Sequence, residues 1–192
     1  RSHFAGEEVA ERVDAVLFHV VHRVHHVACG FGIVVFDLAR EEVKDTYYIG
    51  NQGDMVNVTD VAIFNGRIYA STDDGVYYAL QNGQNLANYA AWNFDTSLIH
   101  PHLAYSEMEV FADRLFLNYD GGFNADTLFV NDGNHWSYFE KDNASQKHEL
   151  RVDDNKLLIT NYYSVKVYDV SLTEIMNIYS PGGSIEPRSA AI

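Results

Sequence analysis

A repeat of about 44 residues runs along the chain and constrains its fold more than any other feature. Three segments share one hairpin pattern, in which a strand, a tight turn of small or polar residues and a basic residue are followed by a second strand. These segments cover residues 64–69, 111–116 and 152–158. Their basic residues, Arg67, Arg114 and Lys156, lie 47 and 42 residues apart.

A second pattern recurs with the same period. Apolar residues alternate around a β-branched residue in runs that begin at Gly32, Gly75, Thr127 and Ser164. Ile33 and Val165, in the first and last of these runs, are separated by three repeats with a mean length of 44 residues. A further strand is predicted to close each unit. The predicted closing strands are Asp45 to Ile49, the stretch around Trp92, His135 to Tyr138 and Ile175 to Tyr179.

Four short strands in every 44 residues predict a β-propeller, whose blades repeat every 40–50 residues or so. Because one four-stranded blade cannot bury both of its faces, blades stack side by side around an axis. We therefore expect an all-β chain whose residues 29–192 form about four four-stranded blades of a larger, seven-bladed ring. A four-bladed ring is allowed but rare. The competing interpretation is an open antiparallel sandwich with irregular turns.

Residues 1–28 do not fit the repeat and are treated as an atypical N-terminal segment. Their apolar residues recur at steps of three and four, at Val9, Val13, Val16, Leu17, Val20, Val24 and Val27. This spacing predicts an amphipathic helix. A rival alignment makes residues 13–16 the first strand of a blade, but its turn would then fall on poor turn formers near Val20. The chain also starts at Arg1 without a Met or a signal peptide, so we expect a piece of a longer protein and a misread gene start.

Charge and composition exclude several classes of function. The chain has 13 Lys and Arg against 27 Asp and Glu, and its net charge of −14 repels nucleic acid and anionic headgroups. The single cysteine, Cys29, allows no internal disulfide and no Cys-rich zinc site. The longest apolar stretch, residues 28–36, is far shorter than the roughly 18 residues of a membrane-spanning helix.

Three stretches of the chain resemble the PorZ family, the β-propeller proteins of the type IX secretion system in Bacteroidetes. They are Cys29 to Leu38 (CGFGIVVFDL), Glu42 to Gly50 (EVKDTYYIG) and Ser180 to Ala191 (SPGGSIEPRSAA). The hairpin of residues 57–78 is similar to the wider two-component-regulator propeller repeat. The resemblance covers about residues 28–192, whereas residues 1–28 depart from it.

The resemblance implies a non-enzymatic scaffold without a cofactor, located outside the inner membrane in the periplasm or at the outer-membrane surface. Its implied partners are the other proteins of the attachment complex, including the sortase that anchors secreted cargo, and anionic lipopolysaccharide delivered to that sortase. Family members carry two propellers and a C-terminal sorting domain, and this chain matches part of one propeller. The alternatives are a carbohydrate-sensing periplasmic propeller of a hybrid two-component regulator and a propeller glycosidase or lyase.

Histidines offer a first set of candidate site residues. His22 and His26, in a group with His19 and His25, would share one face of a helix and could bind zinc, but no acidic ligand lies among them. His100 and His102 flank a proline in a long loop, where the simpler interpretation is solvent exposure. We therefore predict no metal site.

Two further motifs are interpreted as structural. Residues 71–78 fit the Asp-box turn of sialidase propellers, in which the aspartate caps backbone N–H groups and the aromatic residue packs between blades. The sequence from Gly30 to Val35 lacks the last glycine of a dinucleotide-binding loop and has no βαβ context, so such a site is rejected.

Acidic residues and tyrosine pairs complete the candidates. Paired carboxylates for glycoside hydrolysis could come from Glu107, Glu109, Asp113, Asp120 and Asp126, but with 27 acidic residues such proximity is expected by chance. Adjacent tyrosines occur at residues 47–48, 77–78 and 162–163. Since neighbours on a strand point to opposite faces, one of each pair should pack between blades and the other could stack on a sugar or a partner. We predict no catalytic residue and leave the ligand-binding residues open.

Overall fold

Short β-strands make up most of the regular structure in the computed structural model, which describes residues 24–119, 121, 126–140 and 147–179. The strands are β1 (Val24–Cys29), β2 (Gly32–Asp37), β3 (Glu42–Tyr47), β4 (Val58–Phe64), β5 (Arg67–Thr72), β6 (Gly75–Leu80), β7 (Asn93–Phe94), β8 (Tyr105–Phe111), β9 (Arg114–Tyr119), β10 (Thr127–Asn131), β11 (Trp136–Glu140), β12 (Lys147–Asp153), β13 (Lys156–Asn161), β14 (Ser164–Tyr168) and β15 (Glu174–Tyr179). Two single-turn 3₁₀ helices, Asn51–Gly53 and Tyr89–Ala91, lie in the connections.

Within these described residues the strands form four antiparallel sheets, each with its strands in chain order. Strands β4–β7, β8–β11 and β12–β15 make the four-stranded blades 2, 3 and 4. Strands β1–β3 make blade 1, which has three described strands. The all-β fold and the repeat of four-stranded blades are therefore confirmed.

The predicted hairpins close blades 2, 3 and 4 with two-residue turns in the left-handed region. Both turn residues have positive φ at Asn65 and Gly66, at Ala112 and Asp113, and at Asp154 and Asn155. Two consecutive residues with positive φ are typical of a type I′ turn, whose twist matches that of the flanking strands. The small and polar residues of the sequence pattern are those that tolerate this conformation.

Apolar side chains of the second strand in a blade pack against both neighbouring blades. In β9, Leu115 and Leu117 join the cluster between blades 2 and 3, whereas Phe116 joins the cluster between blades 3 and 4. A third cluster, which includes Ile33 and Ile68, lies between blades 1 and 2. Since successive side chains of a strand point to opposite faces, the stacking of blades explains why these strands read as continuous apolar runs.

The first strands of successive blades lie next to one another along the inner side of the stack. Oδ2 of Asp60 on β4 accepts the backbone N–H of Met108 on β8 at 2.8 Å. Oε2 of Glu107 on β8 accepts the backbone N–H of Leu150 on β12 at 2.7 Å. Partly buried carboxylates thus join β4 to β8 and β8 to β12.

The predicted helix is wrong for residues 24–28, which belong to strand β1. Its backbone groups pair with β2 from Val24 opposite Asp37 to Cys29 opposite Gly32, so the sheet satisfies their hydrogen bonds. Valine is a β-branched residue that favours strands, and here this preference outweighs the three- and four-residue spacing. The rest of the predicted helix, residues 1–23, lies outside the described residues. In the described part of the chain, no helix has the length and hydropathy needed to cross a bilayer.

Strand β3, the last strand of blade 1, begins earlier than the predicted closing strand, at Glu42 rather than Asp45. The preceding turn ends at Glu41, which has a φ of 55°, and Glu42 then pairs directly with Asp37 on β2. The other predicted fourth strands coincide with β7, β11 and β15.

Alternating strand directions give the stack two faces. The upper face carries the turns between second and third strands, such as residues 73–74, and the links between blades, residues 48–57 and 95–104. The lower face carries the type I′ turns and the turns between third and fourth strands, such as residues 132–135.

Candidate functional site

An aromatic groove opens on the upper face between blades 1 and 2. It encloses about 410 Å³ and is built from the link after β3, the residues around β7 and the link that follows β7. Its lining residues are Ile49, Gly50, Asn51, Gln52, Asp74, Tyr77, Tyr89, Ala90, Trp92, Phe94 and His102. Rings and a few polar groups converge here, as they do in small-molecule sites, so this groove is the candidate functional site.

One wall of the aromatic groove consists of Phe94 and two rings that pack against it. The ring of Tyr77 meets Phe94 edge-on, with centroids 5.2 Å apart, and the imidazole of His102 stacks on Phe94 at 4.8 Å. Edge-on and stacked contacts are the favoured arrangements of aromatic pairs. The wall is therefore held by mutual ring packing.

Trp92 and Tyr89 form the other side of the aromatic groove. Trp92 is buried, and its indole Nε1–H donates to the carbonyl oxygen of Leu86 at 3.0 Å. Tyr89 is 46% exposed and rests over Gly53, where an added Cβ would come within 3.3 Å of the tyrosine ring. The tyrosine thus offers an accessible ring to a ligand, while the tryptophan supports the floor.

The polar edge of the groove comes from the turn between β5 and β6. Nδ1 of His102 lies 3.2 Å from Oδ1 of Asp74, and both side chains are largely exposed. The backbone of the adjacent Gly75 donates its N–H to the carbonyl oxygen of Leu103 at 2.8 Å, which fixes the link against the turn. A carboxylate, an imidazole and flat rings together suit a ligand that has both hydroxyl groups and an apolar face.

The predicted Asp-box turn is present, but threonine rather than aspartate caps it. Oγ1 of Thr72 accepts the backbone N–H of Asp74 at 3.1 Å and donates to the carbonyl oxygen of Gly75 at 2.9 Å. The Asp73 carboxylate instead accepts a bond from the side-chain amide of Asn57 at 2.8 Å. Thr72 is the buried last residue of β5, and from there its hydroxyl reaches both backbone groups of the turn.

The acidic residues considered for glycoside hydrolysis are not brought together as a catalytic pair at this groove. Glu107 and Glu109 lie on the inner strand β8 and accept the backbone N–H groups of Leu150 and Val152. Burial raises the pKa of Glu107 to about 7, and the neighbouring carboxylates of Asp60, Glu149 and Glu109 act in the same direction.

The remaining acidic candidates are dispersed. Asp113 lies in a turn on the lower face. Asp126 is buried near the upper face, where its carboxylate accepts the backbone N–H of Gly121 at 3.2 Å and that of Lys147 at 2.8 Å. Asp120 lies outside the described residues.

The histidines divide into three locations. His25 and His26 are consecutive on strand β1, so the helical zinc geometry proposed for His26 is wrong, and its partners His19 and His22 lie outside the described residues. Burial, followed by the charges of His25 and Lys44, lowers the pKa of His26. Nε2 of His100 lies 3.1 Å from the hydroxyl oxygen of Tyr138, and His102 lines the aromatic groove.

The tyrosine pairs follow the predicted alternation only in part. Tyr47 packs against the cluster between blades 1 and 2, while Tyr48 is exposed, as expected. Tyr77 and Tyr78 both pack between blades, on opposite faces of β6, because the blade has a neighbour on each side. Tyr78 also lies beneath the guanidinium of Arg67, 4.7 Å from its ring centroid.

Sequence reasoning did not find the groove as a site. Tyr89 was not singled out, and Trp92 and Phe94 entered only as part of a predicted closing strand. The signal that could have revealed them is the aromatic-rich stretch of residues 89–94, which follows a polar loop and pairs only briefly with β6. His102 was interpreted as a solvated loop residue, although its ring packs on Phe94.

Comparisons with known proteins agree with the fold and with the sequence resemblance. Residues 12–93 match the family model described as the type IX secretion protein PorZ, N-terminal β-propeller domain. This match begins within residues 1–28, which the sequence resemblance did not include. No curated protein sequence gives a significant match.

Among solved structures, the chain is similar to PorZ of Porphyromonas gingivalis, with a TM-score of 0.63 and 19% sequence identity. The similarity covers 82% of this chain and 20% of the PorZ chain, so this chain spans about a fifth of that protein. The extracellular domain of the putative one component system BT4673 from B. thetaiotaomicron has a TM-score of 0.54 at 12% identity, covering 84% of this chain and 21% of that one.

The N-terminal domain of Nup159 is also similar, with a TM-score of 0.55 at 14% identity over 84% of this chain and 43% of that one. At identities this low, the structural similarities show the propeller fold alone. The sequence match is more specific but partial: residues 12–93 are similar to the PorZ N-terminal β-propeller domain, so the chain is PorZ-like over this part.

Proposed function

We propose that this chain is part of a non-enzymatic binding platform of the type IX secretion machinery, at the cell surface or in the periplasm. The observation that carries the proposal is the match of residues 12–93 to the PorZ N-terminal propeller family. Its partners are then the other proteins of the attachment complex, including the sortase, and lipopolysaccharide that is delivered for cargo anchoring.

The aromatic groove supports a role in holding a saccharide. A sugar ring has one apolar face, which can cover the exposed ring of Tyr89, and hydroxyl groups that can bond to Asp74 and His102. The groove volume of about 410 Å³ lies within the range of small-molecule sites, about 300–1,000 Å³.

Charge determines which part of lipopolysaccharide this groove would hold. The chain carries a net charge of −14, and Asp74 places a carboxylate at the rim of the groove. Phosphate or carboxylate groups of the ligand would be repelled there. We therefore assign the groove to neutral sugar residues and place the anionic groups outside it.

A second candidate function is the sensing of saccharides by a periplasmic propeller of a hybrid two-component regulator. The fold similarity to the extracellular domain of BT4673 favours it. The full-length gene separates the two proposals, because a downstream transmembrane helix followed by a histidine kinase supports the sensor and contradicts the secretion platform.

The decisive experiment is deletion of the full-length gene, followed by measurement of secreted cargo retained in the periplasm. The secretion platform predicts retention, and normal secretion would contradict it. Complementation with the Tyr89→Ala and His102→Ala variants tests the groove, with Tyr163→Ala as a control at another exposed tyrosine. Retention of cargo in the strains that carry the groove variants, and normal secretion in the control strain, is the expected result.

A further inference from the structure

A second groove lies on the lower face, between blades 2 and 3. It encloses about 480 Å³ and is lined by Ile63, Phe64, Asn65, Val110, Asp113, Asp132 and Gly133. These residues surround the type I′ turns of the two blades, at the opposite end of the strands from the aromatic groove. We call it the acidic groove.

The acidic groove contains aliphatic surface that the fold leaves uncovered. Ile63 is 44% exposed and Val110 is 37% exposed, and they occupy equivalent positions, one residue before the last residue of β4 and of β8. A single exposed aliphatic side chain is ordinary on a protein surface. Two of them lining one groove provide an apolar surface on which the methylene groups of a ligand can lie.

Two carboxylates border this aliphatic surface. Asp113 makes no hydrogen bond or ion pair within the described part of the chain. Oδ1 of Asp132 accepts the backbone N–H groups of Asn134 and His135 at 2.9 and 3.0 Å, and these bonds hold the pKa of Asp132 below its usual range. Oδ2 of Asp132 lies 3.4 Å from Nδ1 of His135.

The nearest basic side chains of the two hairpins are engaged elsewhere. The guanidinium of Arg114 donates to the carbonyl oxygen of Ala112 at 3.1 Å. That of Arg67 lies over the ring of Tyr78. Neither contact neutralises the carboxylates of the groove, so its charge complements a cation brought by another molecule.

We propose that the acidic groove is a docking site for a segment of a partner protein in which a lysine or arginine alternates with aliphatic residues. The methylene stem of the basic side chain lies on Ile63 and Val110, and its charged head lies between Asp113 and Asp132. This proposal is independent of the aromatic groove, because the two grooves share no lining residue.

The test measures binding of an acetylated Leu-Arg-Leu-Arg peptide to the full chain by calorimetry and by NMR of labelled methyl groups. The double variant Asp113→Asn/Asp132→Asn should weaken binding by about fivefold for each carboxylate, as expected for exposed charge pairs. The control variant Asp54→Asn/Asp73→Asn removes the same charge from the upper face, at aspartates that line neither groove, and should change binding by less than about twofold.

Shifts of the Ile63 and Val110 methyl signals and weaker binding of a Gly-Arg-Gly-Arg peptide are the remaining expected results. Equal losses in the two double variants would show that net charge alone attracts the peptide, and this would overturn the proposal. Methyl shifts confined to other residues, or no binding to the parent chain, would overturn it as well. None of these outcomes affects the proposed function, which is tested by cargo retention and by the aromatic groove.

Discussion

The indole Nε1–H of Trp136 donates to Oδ2 of Asp95 across 3.0 Å, and this bond joins blade 3 to the link that leads into it. Both side chains are buried. The other carboxylate oxygen, Oδ1, accepts the backbone N–H and the hydroxyl of Ser97. One aspartate therefore fixes the link and anchors it to the cluster between blades 2 and 3.

Replacing Asp95 with alanine should destabilise the chain by about 1–3 kcal/mol, because it leaves a buried indole N–H without an acceptor. Urea unfolding monitored by tryptophan fluorescence measures this change. The matched control is Asp54→Ala, at an exposed aspartate, for which we expect a change of less than about 0.5 kcal/mol.

A double-mutant cycle with Trp136→Phe isolates the bond between the two side chains. Phenylalanine keeps an aromatic ring but removes the donor. Trp136→Phe should therefore lower the free energy of unfolding less in the Asp95→Ala variant than in the parent chain. If the effects of Asp95→Ala and Trp136→Phe simply add, the bond does not couple the link to blade 3.

Gly75→Ala should be among the most damaging single substitutions in blade 2. Gly75 has a φ of 98°, and an added Cβ would overlap the carbonyl oxygen of Pro101 and the ring of Phe94. We expect the free energy of unfolding to fall by more than about 2 kcal/mol and the aromatic groove to be distorted. Thermal unfolding and NMR of the groove residues measure the two effects.

Gly66→Ala is the control for backbone strain alone. Gly66 has a φ of 71°, but nothing lies within 4 Å of its added Cβ. Gly66→Ala should therefore lower the free energy of unfolding by only about 1 kcal/mol. Equal losses at Gly66 and Gly75 would mean that the close approach of Phe94 and Pro101 contributes nothing.

Lys166→Met should lower the free energy of unfolding, because it leaves the charge of Glu140 unpaired and largely buried between blades 3 and 4. Nζ of Lys166 lies 2.9 Å from Oε1 of Glu140, which also accepts the hydroxyl of Tyr168, and both members of the ion pair are largely buried. Removal of the cation should cost about 3 kcal/mol, as in other buried pairs.

The surface pair of Lys156 and Asp154 is the matched comparison. Its aspartate side chain is 75% exposed, so Lys156→Met should cost less than about 1 kcal/mol. A similar loss in the two methionine variants, measured by urea unfolding, would show that Glu140 does not depend on its buried cation.

The blades could be predicted from the sequence because their signals are local and repeated. Each type I′ turn needs two consecutive residues that tolerate positive φ, as Asn65 and Gly66 do. Such a turn involves only four residues, so a short stretch of sequence is enough to predict it. Strand β1 was predicted less well because seven of the eight residues from 20 to 27 are valines or histidines, whose spacing suits either a helix or a strand. Pairing with β2, which is a non-local contact, decides the outcome.

The aromatic groove could not be predicted because its residues meet only through the stacking of blades. Tyr89 lies in the connection between β6 and β7, and His102 lies in the link between blades 2 and 3. Gly53, on which Tyr89 rests, lies in the link between blades 1 and 2. No spacing rule along the sequence relates these positions. Likewise, the hydrogen bond that Trp136 donates to Asp95 spans 41 residues of sequence and depends on the packing of two neighbouring blades.

The partly buried carboxylate of Glu107 should make the stability of the chain depend on pH near neutrality. Its pKa is raised to about 7 in the folded chain, above the value of about 4.3 expected after unfolding. The folded state therefore binds more protons between these two values, and the contribution to stability is lost as the pH rises through 7. Because solvent still reaches part of the side chain, we expect this contribution to be about 1–2 kcal/mol.

Glu107→Gln tests this dependence, because the amide oxygen can still accept the N–H of Leu150 but carries no charge. The variant should be more stable than the parent chain at pH 8 by about 1–2 kcal/mol, and the difference should shrink towards zero at pH 4.5. Asp60 and Glu109 also have raised pKa values, so the parent chain should keep a weaker pH dependence of the same sign after the substitution. Glu41→Gln, at an exposed glutamate, should follow the parent at every pH. If the Glu107→Gln and parent curves run parallel from pH 4.5 to 8, Glu107 is not the group that takes up the proton on folding.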